Sequence, residues 1–126
     1  MTVRAEASEW LHRRLGPVVG PMYASRYYPP AESWTGSAAW WHEVPEAAWG
    51  GDDDGFVYLL CQKPWDEREF FCLKVPSRYF KDHAKDLSES ETGFRLHLSA
   101  DGSTRFRDER GEGKVPFAQF LIGEEP

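Results

Sequence analysis

Six apolar residues in succession, Phe56 to Cys61 in "GFVYLLCQ", restrict this chain more than any other stretch. Successive side chains of a strand point to opposite faces, so such a run offers no polar side to water. It reads as a strand covered on both faces and lying centrally in a sheet. The loop "KPWDER" and a second apolar run, "EFFCLKVP", follow at once, which predicts an antiparallel partner.

The flanking segments supply covers for such a pair. Val3, Ala7, Trp10, Leu11 and Leu15 recur at helical spacing among charged residues, and Gly16-Pro17 ends the pattern. A structureless loop as long as the next stretch is unusual inside a compact domain, so a strand is expected near Met22–Tyr28, closed by Pro29-Pro30. In "SAAWWHEVP", Trp40, His42 and Val44 share one face and Trp41 and Glu43 the other, so His42 and Glu43 cannot form a simple acid/base pair. Pro76 stops the second apolar strand, and Ser77 reads as the N-cap of "RYFKDHAKDL", with Phe80, Ala84 and Leu87 as the buried stripe. Near the end, Pro116 suits a first helical turn, with Phe117, Phe120 and Leu121 on its apolar face. The expectation is one α+β domain over residues 1–126. It has a mostly antiparallel sheet of about five to six strands and two or three helices.

"GFRLHLSADGSTRFRDE", Gly93 to Glu109, reads as two short strands around a turn. Phe94, Leu96 and Leu98 alternate with Arg95, His97 and Ser99, and Phe106 must share the apolar face. A two-residue Asp101-Gly102 turn would bring Arg105 and Arg107 onto that face. A three-residue Ala100-Asp101-Gly102 loop with Gly102 left-handed avoids this. That register sets Leu96 against Phe106, Leu98 against Thr104, Arg95 against Arg107 and His97 against Arg105. Like charges directly opposite cost on the order of several tenths of a kcal/mol, so something should compensate. Acids such as Asp108, Glu109 or the run Asp52–Asp54 are one answer. An anionic ligand or acidic partner gripped by the arginine forks is the other. Arg95, His97, Arg105, Arg107, Arg110 and Lys114 are therefore the candidate ligand-binding residues. The loop "RGEGK" has glycines before Lys114 but not phosphate-loop spacing, and reads as a plain turn or a backbone nest.

Charge and composition narrow the function classes. A formal net charge of −6 disfavours broad nucleic-acid or anionic-membrane binding. The charged beginning predicts no secretory signal, and no apolar run approaches the roughly 20 residues of a spanning helix. With 2 cysteines and no signal, a reducing, bacterial-type cytoplasm is expected, with Cys61 and Cys72 free and buried. His12, His42, His83 and His97 show no ligand spacing and the cysteines form no C-x-x-C, so neither a metal nor a cofactor is expected. No G-x-S-x-G is present, and Ser77 is better used as a cap than as a nucleophile. Trp34, Trp40, Trp41, Trp49 and Trp65 follow no repeat. They are expected mostly in the core, with one or two lining a cleft.

"FVYLLCQKPWDEREFFCLKVPSRYFKDH", Phe56 to His83, resembles the later half of restriction-endonuclease-like nucleases, where an aromatic strand pair leads through a "VPS"-like turn into a helix. That family's catalytic signature is an acid followed downstream by Glu-x-Lys on a strand. Here Lys74 is the suggestively placed lysine and Cys72 stands two residues before it, so the resemblance carries over no catalytic residue. The leading expectation is a small non-catalytic cytoplasmic binding or accessory domain. Its basic hairpin face would take an anionic small molecule or an acidic protein surface. An enzyme with a dispersed site, such as a degenerate nuclease relative, is one alternative. An acidic inhibitor or immunity-type protein acting through Asp52–Asp54 is another.

Overall fold

The computed structural model describes residues 2–18, 20–33, 36–50, 54–89, 91 and 93–123. Helix α1 (Val3–Leu15) precedes strands β1 (Met22–Ser25) and β2 (Ala39–Pro45) and a single helical turn, α2 (Glu46–Trp49). Then come β3 (Phe56–Lys63), β4 (Asp66–Pro76), α3 (Ser77–Asp82), β5 (Ser88–Glu89), β6 (Gly93–Ser99), a 3₁₀ turn (Ala118–Phe120) and β7 (Leu121–Ile122). The strands form two sheets, β1-β3-β4-β7 and β2-β6-β5. Among the described residues only β1 and β3 pair in parallel; every other pairing is antiparallel. The class is α+β, with the strands divided between two sheets rather than gathered in one.

The two-sided apolar run explains this division. β3 lies inside its sheet, between β1 and β4, and is buried on both faces. Val57, Leu59 and Cys61, with Phe71, Leu73 and Val75 of β4, pack against Trp40, Val44, Phe94, Leu96 and Leu98 of the three-stranded sheet. On the other face, Tyr58, Leu60, Phe70 and Cys72 meet Ala7, Trp10 and Leu11 of α1. Three layers result, and period-two alternation sends neighbouring residues to different ones. Thr2 caps α1 by accepting the Ala5 amide at 3.1 Å. Leu15, the last residue of the apolar helical pattern, is exposed.

Cys61 and Cys72 occupy neighbouring rungs, since Cys61 pairs with Phe71 and Leu60 with Cys72. Their side chains point into different layers, which keeps them apart, and both are free and buried. Burial pushes both thiols up, Cys72 to about 12. Trp10 and Trp40 are buried, and Trp41 and Trp49 are half-buried. Trp49 stacks on Phe94 at 4.8 Å. Trp34, like Asp52 and Asp53, lies outside the described residues.

Several boundaries differ from the sequence reading. β1 ends at Ser25, and Tyr28 makes only a single bridge, to Ala39. Pro76, not Ser77, caps α3; the Ser77 amide is bonded to the Gly55 carbonyl at 2.9 Å, and among the described residues no side chain caps the helix. α3 stops at Asp82: His83 leaves helical geometry as its C-cap (φ −112°, ψ 15°), with its backbone amide and ring Nδ1 both on the Tyr79 carbonyl, at 3.1 and 2.9 Å. Phe80 and Leu87 are still buried, but Leu87 arrives through a turn that frees Ser88–Glu89 to pair with β6. Pro116 opens no helix: it bridges Arg107, and Leu121 joins β7 opposite Leu73. Among the described residues no helix is long and apolar enough to cross a membrane.

Candidate functional site

β6 alternates as its sequence requires, with Phe94, Leu96 and Leu98 in the inter-sheet core. The predicted second strand of the hairpin does not form. Residues 100–106 turn twice, through Thr104 N–H to Asp101 O at 3.1 Å and Arg107 N–H to Thr104 O at 3.0 Å. The chain rejoins β6 where Phe106 donates to Ser99 O and Ser99 donates to Arg107 O, and Leu98 bridges Asp108 rather than Thr104. Phe106 is buried as expected, but it gets there through a left-handed backbone, φ 68°, that stacks its ring on Trp40 at 5.2 Å.

The physical reason is an anchor that alternation does not reveal. Asp108 is fully buried, and its carboxylate accepts the amides of His97 (2.9 Å), Arg110 (3.2 Å) and Gly111 (3.0 Å). A buried carboxylate is tolerated only when so bonded, and satisfying it fixes where the return segment meets β6. One edge of β6 is already taken by β2, and the start of the other by β5. The rungs Leu96–Phe106, Arg95–Arg107 and His97–Arg105 are therefore absent. The only advance signal is local: an Asp three residues before Gly111, a spacing at which carboxylates bond their own backbone.

Most of the predicted cations meet acids. Arg95 forms an ion pair with Glu43, its rung partner on β2, at 3.1 Å. Arg107 places Nε and Nη2 on Glu109 Oε1, at 3.1 and 2.8 Å. Lys114 Nζ donates to the Glu109 carbonyl at 2.9 Å and lies 3.8 Å from Oε2. Arg110 donates from Nε to Ser88 Oγ at 3.1 Å, with its guanidinium 5.5 Å from the Trp41 ring centre. Arg105 leaves this face altogether. It lies over the rings of Phe71 (5.0 Å) and Phe106 (5.3 Å), with no carboxylate partner among the described residues.

His97 is buried beneath Trp41, ring centres 5.2 Å apart, with Nε2 3.4 Å from Ser33 Oγ and, among the described residues, no partner on Nδ1. Burial pushes its pKa down, against the upward pull of Asp108. His97 floors a cleft of about 350 Å³ between the start of β2, the end of β6 and the loop that follows. Ser99, Asp101, Thr104, Glu109 and Lys114 line it, with Ser37, Ala38 and Ala39 opposite. Ser99 Oγ and Thr104 Oγ1 are 2.7 Å apart. Hydrogen bonds from the Ser103 amide and hydroxyl hold the Asp101 carboxyl below its ordinary value. The cleft thus joins His97 and Lys114 from the predicted set, with Arg107 attached through Glu109. Asp101, Thr104 and Ser37 carried no motif that would have marked them.

The glycines of "RGEGK" serve close approach rather than a nest. A Cβ on Gly111 would lie 2.3 Å from Asp86 O, and one on Gly113 would lie 2.2 Å from Asp86 Cβ. Gly113 N–H donates to that same Asp86 carbonyl at 3.2 Å, docking the loop on the turn after α3. Among the described residues, no group of three or more His, Cys, Asp or Glu is placed to hold a metal ion. No family model, curated protein or solved structure matches the chain, so the cleft is read from its own chemistry.

Proposed function

We propose that this chain is a small non-catalytic binding domain that holds an anionic small molecule in the β6 cleft. Arg107 and Lys114 supply the charge, and His97, Ser99 and Thr104 supply neutral hydrogen bonds beside it. The observation that carries this reading is the sharing of one carboxylate, Glu109, by both cations. Part-exposed pairs of this kind are worth about 0–1 kcal/mol, so an incoming anion displaces little when it takes up the forked donors of Arg107. Asp101, on the same cleft, favours a ligand that also carries a hydrogen-bond donor. Binding is better supported than catalysis, because among the described residues no carboxylate meets His97 Nδ1 to orient the ring as a general base.

Thermal melts with and without sulfate or phosphate test this, since a ligand that binds only the native state raises the midpoint. Sulfate also stabilises proteins non-specifically, so the comparison that matters is between wild type and Lys114→Ala at equal sulfate. The expected result is a larger rise for the wild type. Equal rises in both proteins, or none in either, would defeat the proposal.

A further inference from the structure

We infer that the end of the sandwich marked by Trp65 and Arg105 docks an acidic segment of a partner protein, one whose carboxylates flank an apolar side chain. Trp65 and Leu15 are the exposed large hydrophobic residues among those described, and Trp65 is 70% exposed. Its indole stands on the short turn between β3 and β4, edge-on to Phe71 with ring centres 5.8 Å apart. Phe71 is the floor of a small cationic cluster: Lys63 Nζ lies 5.1 Å from its ring centre and the Arg105 guanidinium 5.0 Å. Arg105 comes from the loop after β6, so both sheets build this surface.

Charge and residue type identify the occupant. Arg107 and Lys114 share Glu109 and Arg95 has Glu43, whereas Arg105 is exposed and meets no carboxylate among the described residues. Trp65 and Arg105 both meet the Phe71 ring, and tryptophan and arginine are enriched among the residues that carry most of the binding energy at protein interfaces. The arginine fork suits a carboxylate, and the indole face suits an apolar neighbour of that carboxylate. A continuous run of phosphates would meet Asp66 and Glu67 at the same tip, in a chain whose net charge is already −6. An acidic protein segment can space its carboxylates to miss them.

The surface shares no residue with the proposed anion cleft, so its test stands apart. Fluorescence anisotropy is followed for a labelled peptide of Glu-Glu-Phe repeats, its Lys-Lys-Phe counterpart and a labelled oligothymidylate. The expected result is binding of the Glu peptide alone, weakened about tenfold or more by both Trp65→Ala and Arg105→Glu. Melting midpoints close to the wild type show that these surface variants fold. Four results would overturn the inference. Two are failure of the wild type to bind the Glu peptide and its preference for the oligothymidylate. The other two are wild-type affinity for the Glu peptide in both variants and occupation of the surface by a second copy, seen as Trp65-dependent dimerisation in sedimentation.

Discussion

β3–β4 and the segment from β6 to Pro116 carry the same kind of sequence signal, an apolar alternation followed by turn residues and a second alternation. The first becomes a ladder whose register runs from Phe56–Pro76 to Gln62–Phe70 and slips only at Lys63. The second becomes one strand and an irregular return. The difference lies in how many faces are buried. Along β3 both faces are core, so any slip would move one apolar set into the wrong layer, and two layers together specify the pairing. Along β6 the outward face holds Arg95, His97 and Ser99, which fit more than one arrangement. Register there falls to a long-range polar anchor, the buried Asp108 carboxylate.

Truncating one residue from each region breaks the comparison most directly. Leu59→Ala, in the centre of β3 with no exposed surface, should cost about 2–5 kcal/mol, because it removes apolar contact and leaves a cavity. Asp108→Ala should cost about 2–4 kcal/mol by another route, stranding the amides of His97, Arg110 and Gly111 without an acceptor. Denaturant titrations give both values, and hydrogen exchange separates them. Leu59→Ala should speed exchange throughout the sandwich, and Asp108→Ala chiefly from His97 to Gly113. An Asp108→Ala variant as stable as the wild type would remove the proposed anchor.

The same contrast explains what could be read in advance. The helix over Val3–Leu15, the inward faces of β2 and β6 and the double burial of β3 all follow from period and polarity, which are local properties. The cleft does not. His97 and Lys114 were candidates on charge alone, but the cleft is assembled by a left-handed Phe106, by glycines pressed against Asp86 and by Asp108. Each depends on an approach between segments distant in sequence. Charge pairing was half legible: acids do answer Arg95 and Arg107, but Glu43 answers Arg95 from β2 rather than from the return segment.

Two histidines on opposite faces of the three-stranded sheet sharpen the comparison through pH. His42 faces the core, 3.5 Å from Cys61 Sγ, and burial pushes its pKa down to about 3. In the unfolded chain the value is about 6.5. Between these values the unfolded state binds a proton and the native state does not. Stability is therefore full above about pH 6.5 and falls as the pH drops, by about 1.4 kcal/mol per unit at most. His97 is shifted in the same direction on the outer face. Denaturant titrations between about pH 6.5 and 5, above most carboxylate titrations, should lose most of their slope in His42→Gln and less in His97→Gln. A wild type with flat stability over that interval would show that His42 is protonated without cost.

The smallest expected effect separates the two registers by sign. Had Arg107 stood opposite Arg95, as a regular hairpin would place it, Arg107→Glu would replace a like-charge rung with an opposite pair and raise stability. In the structure Arg107 instead places two donors on Glu109, so the same change sets two carboxylates together and removes a two-point contact. Arg107 and Glu109 are partly exposed, which limits the loss to about 0–1 kcal/mol, and salt shrinks it further. Melting curves of wild type and Arg107→Glu at low ionic strength, repeated in high sodium chloride, read the sign. A lower midpoint that recovers with salt supports the Glu109 pairing. A higher one would restore the regular hairpin, and with it the arginine pair that the return of the chain through Asp108 avoids.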